Sequence, residues 1–119
     1  MKKTALALFS IIVLAACTKD KVATAIPYPN ATCSDTISFA NDLLPVIQEQ
    51  CAGCHDPANG APGGGYELTD YTNVKANISA VIGSMKSEGF QFMPQNNDPI
   101  PDTTIQKFMC WVNQGKLDN

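Results

Sequence analysis

Apolar side chains recur at helical spacing in three segments of the chain, over residues 41–51, 72–82 and 101–114. In the second segment the apolar positions fall at i, i+4, i+7 and i+8, which is one face of a helix, and Gly83 is expected to end it. The third segment is followed by Gly115, the residue type that most often succeeds the last helical turn. No alternating pattern of useful length and no internal repeat is present, so the sequence predicts a small helical domain.

The first helical segment begins with polar residues suited to a helix start. Asn41 or Asp42 is the expected N-cap, and Pro45 falls within the first turn, where its missing N–H costs little. The linkers between the predicted helices are rich in proline and glycine, as turns are. Because a small, loop-rich chain has difficulty filling a core with side chains alone, a large apolar cofactor would supply what is missing.

The first sixteen residues are typical of an export signal. Lys2 and Lys3 precede an apolar run over residues 5–16, which is too short for a bilayer core that needs about 20 apolar residues. The run ends in Leu-Ala-Ala before Cys17, which resembles the lipobox of bacterial lipoproteins. Residues 1–16 are therefore predicted to be a lipoprotein signal peptide and Cys17 the lipidated first residue of the mature chain. Ordinary secretion, with Cys17 incidental, is the alternative.

The mature chain has room for one domain. Residues 17–36 show no helical period and are predicted to form a flexible tether, ordered only where Cys33 pins it, and residues 37–119 form the domain. Beyond residue 16 the chain has six lysines, no arginine and eleven acidic residues. A basic footprint for nucleic acid is thus absent, and the acidic balance favours, if anything, a partner with a basic patch.

The pattern C-x-x-C-H, which marks covalent attachment of a c-type haem, is formed by Cys51-Ala52-Gly53-Cys54-His55. Two thiols separated by two residues can reach the two vinyl groups of one porphyrin, and the next residue places an imidazole under the iron. Ala52 and Gly53 are small, so the backbone can lie close to the macrocycle. The motif predicts haem c thioether bonds at Cys51 and Cys54 and a proximal iron ligand at His55.

Three other roles for these cysteines compete with haem attachment. A thioredoxin-type redox pair belongs to a βαβ unit, which the sequence does not show. A structural zinc site needs four N or S ligands, which the cysteines and His55 could supply in number but without a second paired knuckle. A disulfide between Cys51 and Cys54 would be strained and would leave His55 without a role. The predicted export favours haem, because bacteria attach it outside the cytoplasm.

The sequence around the motif also follows a known pattern. Its parts are the run from Ser38 to Ile47, the segment Gly64 to Leu68, the segment Tyr71 to Val74, the pair Met93-Pro94, and the spacing of Ile105, Phe108, Trp111, Val112 and Gly115. With these residues, about 80 in extent, the chain resembles small class I monohaem cytochromes c, especially short lipoprotein cytochromes of Gram-negative bacteria. The resemblance implies an all-α, loop-rich cytochrome c fold with three main helices wrapped around one haem.

The distal iron ligand cannot be a second histidine of the same chain, because His55 is the only one. Met109 lies on the apolar stripe of the third helix, where core filling is its expected role, and Met85 is either surface or core. In class I cytochromes a Met-Pro pair before the last helix supplies the distal thioether, and Met93 with Pro94 matches that position. The resemblance therefore implies Met93, and His/Met ligation raises the reduction potential relative to bis-nitrogen ligation.

The resemblance also suggests residues that surround the haem. In that family a proline carbonyl after the motif accepts the Nδ1–H of the proximal histidine, and Pro57 and Pro62 are the candidates, with Pro62 favoured. Trp111 either packs between the first and last helices or donates its indole N–H to a haem propionate. Three side chains are candidate contacts with the haem edge or satellite packing residues: Tyr66, Leu68 and Tyr71.

Two cysteines lie outside both the haem motif and the lipobox. Cys33 and Cys110 are expected in an oxidising compartment, and in the family's fold the terminal helices pack against each other. The resemblance thus implies a Cys33–Cys110 disulfide that stabilises the domain by a few kcal/mol. Two free thiols are the alternative.

The function that the resemblance implies is one-electron transfer by an exported, lipid-anchored carrier, on the periplasmic side or at the cell surface. Its partners would be redox proteins near the membrane, and it would not be an enzyme. One alternative is a haem-based sensor or small-ligand binder with a five-coordinate iron. Another is a peroxidase, although peroxidases related to this fold generally use two haems and the chain has one C-x-x-C-H motif.

Overall fold

The structure, a computed structural model, describes residues 26–59, 63–95 and 97–119. The predicted signal peptide, Cys17 and Pro62 lie outside these residues. The described α-helices are α1 (Leu44–Gln50), α2 (Ala52–His55), α3 (Tyr71–Lys86) and α4 (Asp102–Asn113). A π-helical turn, Phe39–Leu43, precedes α1, and two single 3₁₀ turns, Pro57–Asn59 and Gly63–Gly65, follow α2. The described ranges contain no strand, which confirms the predicted helical class.

Helical structure begins a few residues earlier than the sequence predicts. Ser38 is the N-cap, because its Oγ accepts the N–H of Asn41 at 3.1 Å, so the predicted caps Asn41 and Asp42 are wrong. Asp42 instead accepts hydrogen bonds from Lys107 Nζ at 2.9 Å and from the Ser38 N–H at 2.9 Å. The pKa of Asp42 lies below its usual value, mainly because of the hydrogen bond from Lys107 and to a smaller extent because of the one from Ser38. Pro45 does lie in the first turn of α1, as predicted.

The second predicted helix is longer than its apolar pattern indicates. Asp70 caps α3 by accepting the N–H of Asn73 at 2.9 Å, and the helix continues through Gly83 to Lys86. It ends where Ser87 adopts a left-handed conformation with φ of 57°. Gly83 is therefore a buried position inside the helix rather than its end.

The third predicted helix ends as expected. Beyond α4, Gly115 adopts a φ of 96°, and its N–H donates to the Val112 carbonyl at 3.1 Å. The N–H of Lys116 donates to the Trp111 carbonyl at 2.9 Å. These two bonds form a Schellman motif, for which glycine is favoured because it has no Cβ to clash.

The core is centred on α4, which packs against the Phe39–Leu43 turn and against α3. Trp111 is fully buried, and its ring centroid lies 5.5 Å from Phe39 and 6.1 Å from Tyr71. Its indole N–H donates to the Leu117 carbonyl at 2.8 Å. Since the indole has a single donor, the structure shows the packing role of Trp111 and does not leave that N–H for a propionate.

Amide side chains at the end of α4 hold the extended segment that precedes the first turn. The side chain of Asn113 accepts the Tyr28 N–H at 3.0 Å and donates to the Tyr28 carbonyl at 2.8 Å. Gln114 accepts the Ile37 N–H at 2.8 Å and donates to the Asp35 carbonyl at 2.7 Å. Residues 28–37 are thus fastened to α4, whereas the sequence predicts a flexible tether up to residue 36.

The predicted cysteine pair lies on the same segment. Cys33 and Cys110 are placed as a disulfide pair, as predicted. Cys110 is buried on α4 and Cys33 is exposed on the segment. Together with the amide contacts, this bond joins the segment to the core. No helix in the part of the chain described here is long and apolar enough to cross a membrane.

We predict that Gln114→Ala lowers the free energy of unfolding by about 1–2 kcal/mol, because it removes two hydrogen bonds to the segment. The Ile37 amide should also exchange its hydrogen faster. Gln48→Ala, at an exposed position in α1, is the control and should change stability by less than about 0.5 kcal/mol. Chemical denaturation and hydrogen exchange measure both effects. Equal stability of the two variants would contradict this role for Gln114.

Candidate haem-attachment site

The three residues of the motif share one face of a short helical stretch. The Cys51 N–H donates to the Ile47 carbonyl at 2.9 Å, so the helical path of α1 continues into the motif. The N–H groups of Cys54 and His55 then donate to the Cys51 carbonyl at 3.1 and 2.9 Å. Residues at i, i+3 and i+4 are neighbours on a helix surface. The backbone therefore places Cys51, Cys54 and His55 on the same face of this helical stretch.

The two motif cysteines are free thiols with different surroundings. Cys54 is exposed, whereas Cys51 is partly buried and packs against the core. Burial raises the pKa of Cys51 to about 11. A redox-active cysteine pair requires a lowered thiol pKa. The raised pKa of Cys51 and the lack of a strand in the described residues both disfavour a thioredoxin-type role.

The orientation of His55 is set by a loop that follows the motif. Its Nδ1 lies 2.8 Å from the Tyr66 carbonyl oxygen. A carbonyl can only accept a hydrogen bond, so this contact is satisfied when Nδ1 carries the proton. In that tautomer the lone pair of Nε2 is free to bind a metal. The Leu68 N–H also donates to the His55 carbonyl at 2.9 Å, which fastens the same loop to the backbone of His55.

The carbonyl that bonds to His55 belongs to Tyr66, a residue to which the sequence prediction gave another role. Tyr66 is predicted only as a contact with the haem edge or as a satellite packing residue, and Pro62, the favoured acceptor, lies outside the described residues. Pro57, the other candidate, begins the 3₁₀ turn after α2. Leu68 is buried in the core. No side-chain pattern could have identified Tyr66, because the acceptor is a backbone atom that every residue possesses.

The methionines of the described chain differ in burial. Met85 and Met109 are each 7% exposed and belong to the core, as predicted for Met109 and left open for Met85. Met93 is partly exposed in the loop after α3, and its N–H donates to the Ser84 carbonyl at 3.1 Å. Among the described methionines, Met93 is thus the one that is not buried in the core.

Large aromatic side chains are exposed beside both predicted iron ligands. Tyr66, which bonds to His55 through its carbonyl, is 41% exposed. Phe90 and Phe92, which precede Met93, are 43% and 37% exposed. The exposed parts of these side chains offer apolar surface to a porphyrin. With two free thiols and an imidazole on one helical face, these residues fit a covalently attached haem.

A four-ligand metal site is not assembled in residues 26–59, 63–95 and 97–119. These ranges contain no group of three or more His, Cys, Asp and Glu side chains placed to hold a metal ion. Cys33 and Cys110, which a zinc site would need, are paired with each other. The zinc alternative therefore lacks its ligands. A haem does not require such a cluster, because its porphyrin supplies four of the iron ligands.

Comparisons of the chain with protein-family models, with curated proteins and with solved structures give no match. The candidate site is accordingly defined by the motif, the His55 hydrogen bond and the burial of the surrounding residues.

We predict that Cys54 is alkylated faster than Cys51 at pH 8 in protein produced without haem attachment. A thiol with a pKa of about 11 is only about 0.1% ionised at that pH, and Cys51 is also partly buried. Its labelling rate should rise about tenfold per pH unit towards pH 11, because the thiolate is the nucleophile. Iodoacetamide labelling followed by peptide mass spectrometry measures both rates. Equal labelling at pH 8 would contradict the assigned environments.

Proposed function

We propose that the chain is a monohaem c-type cytochrome that carries one electron at a time. Cys51 and Cys54 would hold the haem through thioether bonds, and His55 would be the proximal iron ligand. The observation that supports this most directly is the 2.8 Å contact between His55 Nδ1 and the Tyr66 carbonyl. It favours the tautomer that offers Nε2 to a metal, on the same helical face as two free thiols.

The protein residues have defined tasks in this proposal. Addition of each thiol across one vinyl group would form a C–S bond and pass the thiol hydrogen to the neighbouring carbon, so no oxidant would be needed. The bound haem supplies the Fe(II)/Fe(III) couple. The Tyr66 carbonyl holds the imidazole in one orientation and increases its basicity as a ligand. The bond between Leu68 and the His55 backbone keeps this carbonyl in place, since Leu68 is buried.

Met93 is the proposed distal ligand. It is the methionine outside the core in the described residues, and it lies in a loop held to the end of α3 through the Ser84 carbonyl. With His55 and Met93 both bound to it, the iron would have no free position for a substrate. The arrangement thus suits electron transfer rather than catalysis. The fold that accompanies this proposal is the cytochrome c fold, with α1, α3 and α4 as its three main helices.

The location and partners of the protein are part of the same proposal. Cys17 would be lipidated and would anchor the protein to a membrane outside the cytoplasm, close to membrane-bound redox partners. Asp56 directly follows His55, and Glu67 lies between Tyr66 and Leu68, which both bond to His55. Neither carboxylate takes part in the ion pairs found among the described residues. A partner with a basic docking surface would complement them.

We predict that Met93→Ala keeps its covalent haem but loses the thioether-to-iron charge-transfer band of the oxidised protein. Its reduction potential should fall, because a thioether ligand raises the potential. Met109→Leu, a substitution of similar volume at a core position, is the matched control and should keep both properties. A visible spectrum recorded during a redox titration measures them together.

Two results would contradict parts of the proposal. If the charge-transfer band survives in Met93→Ala, Met93 is not the ligand. If the wild-type protein is already high-spin, Met93 is not bound to its iron, and the alternative of a haem-based sensor or ligand binder is favoured.

A further inference from the structure

Gly83 is a buried position where the structure has no room for a side chain. A Cβ atom built there would lie 2.5 Å from Phe90 Cδ2 and 2.9 Å from the Glu88 carbonyl oxygen. Non-bonded carbon atoms pack at about 3.5–4.0 Å. The loop that follows α3 therefore occupies the space that any other residue at position 83 would need. Both a ring and a backbone atom contribute, so the conflict could not be relieved by moving one flexible side-chain end.

The same turn of α3 fastens this loop at its beginning and at its end. The Glu88 N–H donates to the Gly83 carbonyl at 2.8 Å. The Met93 N–H donates to the Ser84 carbonyl at 3.1 Å. Between these two bonds, the Phe90 ring lies against Gly83. The loop is thus held to α3 at three points, and Met93 stands at the last of them.

We propose that Gly83 is a positioning residue for Met93. The missing side chain lets Phe90 lie against α3, and this contact sets the path of the loop that presents the Met93 thioether. This inference rests on the proposed function, because the position of Met93 matters most if its sulfur binds iron. It also assigns a role to Phe90, a residue that is 43% exposed although its ring lies beside a buried helix position.

Helix propensity and loop packing predict opposite results at this position. Inside a helix, replacement of glycine by alanine is ordinarily stabilising, because glycine loses more backbone entropy on folding. At Gly83 the added methyl group would instead displace Phe90 and the Glu88 backbone. The substitution Gly83→Ala therefore distinguishes two cases. It should stabilise the protein if Gly83 is an ordinary helix residue, and it should disturb the loop if Gly83 is the contact on which the loop packs.

The experiment uses the haem-loaded protein with Gly83→Ala. Covalent haem content should equal that of the wild type, since the atoms nearest to an added Cβ at position 83 belong to Phe90 and Glu88 and not to the haem-attachment motif. The thioether-to-iron band should weaken or disappear, and imidazole should bind the oxidised iron at least tenfold more tightly, because Met93 competes less well. The Met93 amide should exchange at least tenfold faster, whereas amides in the middle of α4 should not change. Ser79→Ala, at an exposed position of α3, is the control and should match the wild type.

Phe90→Ala tests the same contact without altering the helix. It should also raise the imidazole affinity and the Met93 exchange rate. In the double variant, Gly83→Ala with Phe90→Ala, the combined effect should be smaller than the product of the two single effects, because the ring that conflicts with the new methyl group is absent. Effects that multiply independently would argue against a direct contact.

The outcomes separate this inference from the function on which it rests. If the wild type holds haem and shows the thioether band, and Gly83→Ala is identical in imidazole affinity and Met93 exchange, the inference is wrong and the proposed function stands. If the wild type holds no covalent haem, the proposed function is wrong. Faster Met93 exchange together with a weakened band in Gly83→Ala supports both.

Discussion

The hydrogen bond between His55 Nδ1 and the Tyr66 carbonyl is the constraint on which the candidate site depends. An imidazole can present a lone pair at Nε2 in a fixed direction only if its other nitrogen is protonated and held. The Tyr66 carbonyl, 2.8 Å away, meets this condition. Leu68, two residues further, is buried in the core, and its N–H donates to the His55 carbonyl. The packing of the core therefore helps to fix the orientation of the imidazole ring.

The core that supports this arrangement is built around α4. Trp111 and its aromatic neighbours fill the contact with the Phe39–Leu43 turn, and the amides of Asn113 and Gln114 fasten the preceding segment. The core thereby ties together parts of the chain that are far apart in sequence. Cys54, Tyr66 and Met93, three of the residues proposed to meet the haem, lie outside this core. Their solvent-exposed surface would be covered when the haem is bound.

Helices α3 and α4, and the grouping of Cys51, Cys54 and His55, could be predicted from the sequence because side-chain spacing specifies them. Three other features have no such signature. The acceptor for His55 is a backbone carbonyl, which every residue has. Gly83 resembles a helix end, since glycine serves both to end helices and to admit a close contact. The docking of residues 28–37 depends on amide-to-backbone bonds that leave no periodic pattern.

The most direct test of the central claim is the mass of the mature protein after purification from a host that attaches haem outside the cytoplasm, measured under denaturing conditions. We predict a mass increased by one haem that denaturation does not remove, together with loss of reactivity of both Cys51 and Cys54 towards thiol reagents. A mass without haem, with both thiols still reactive, would contradict it.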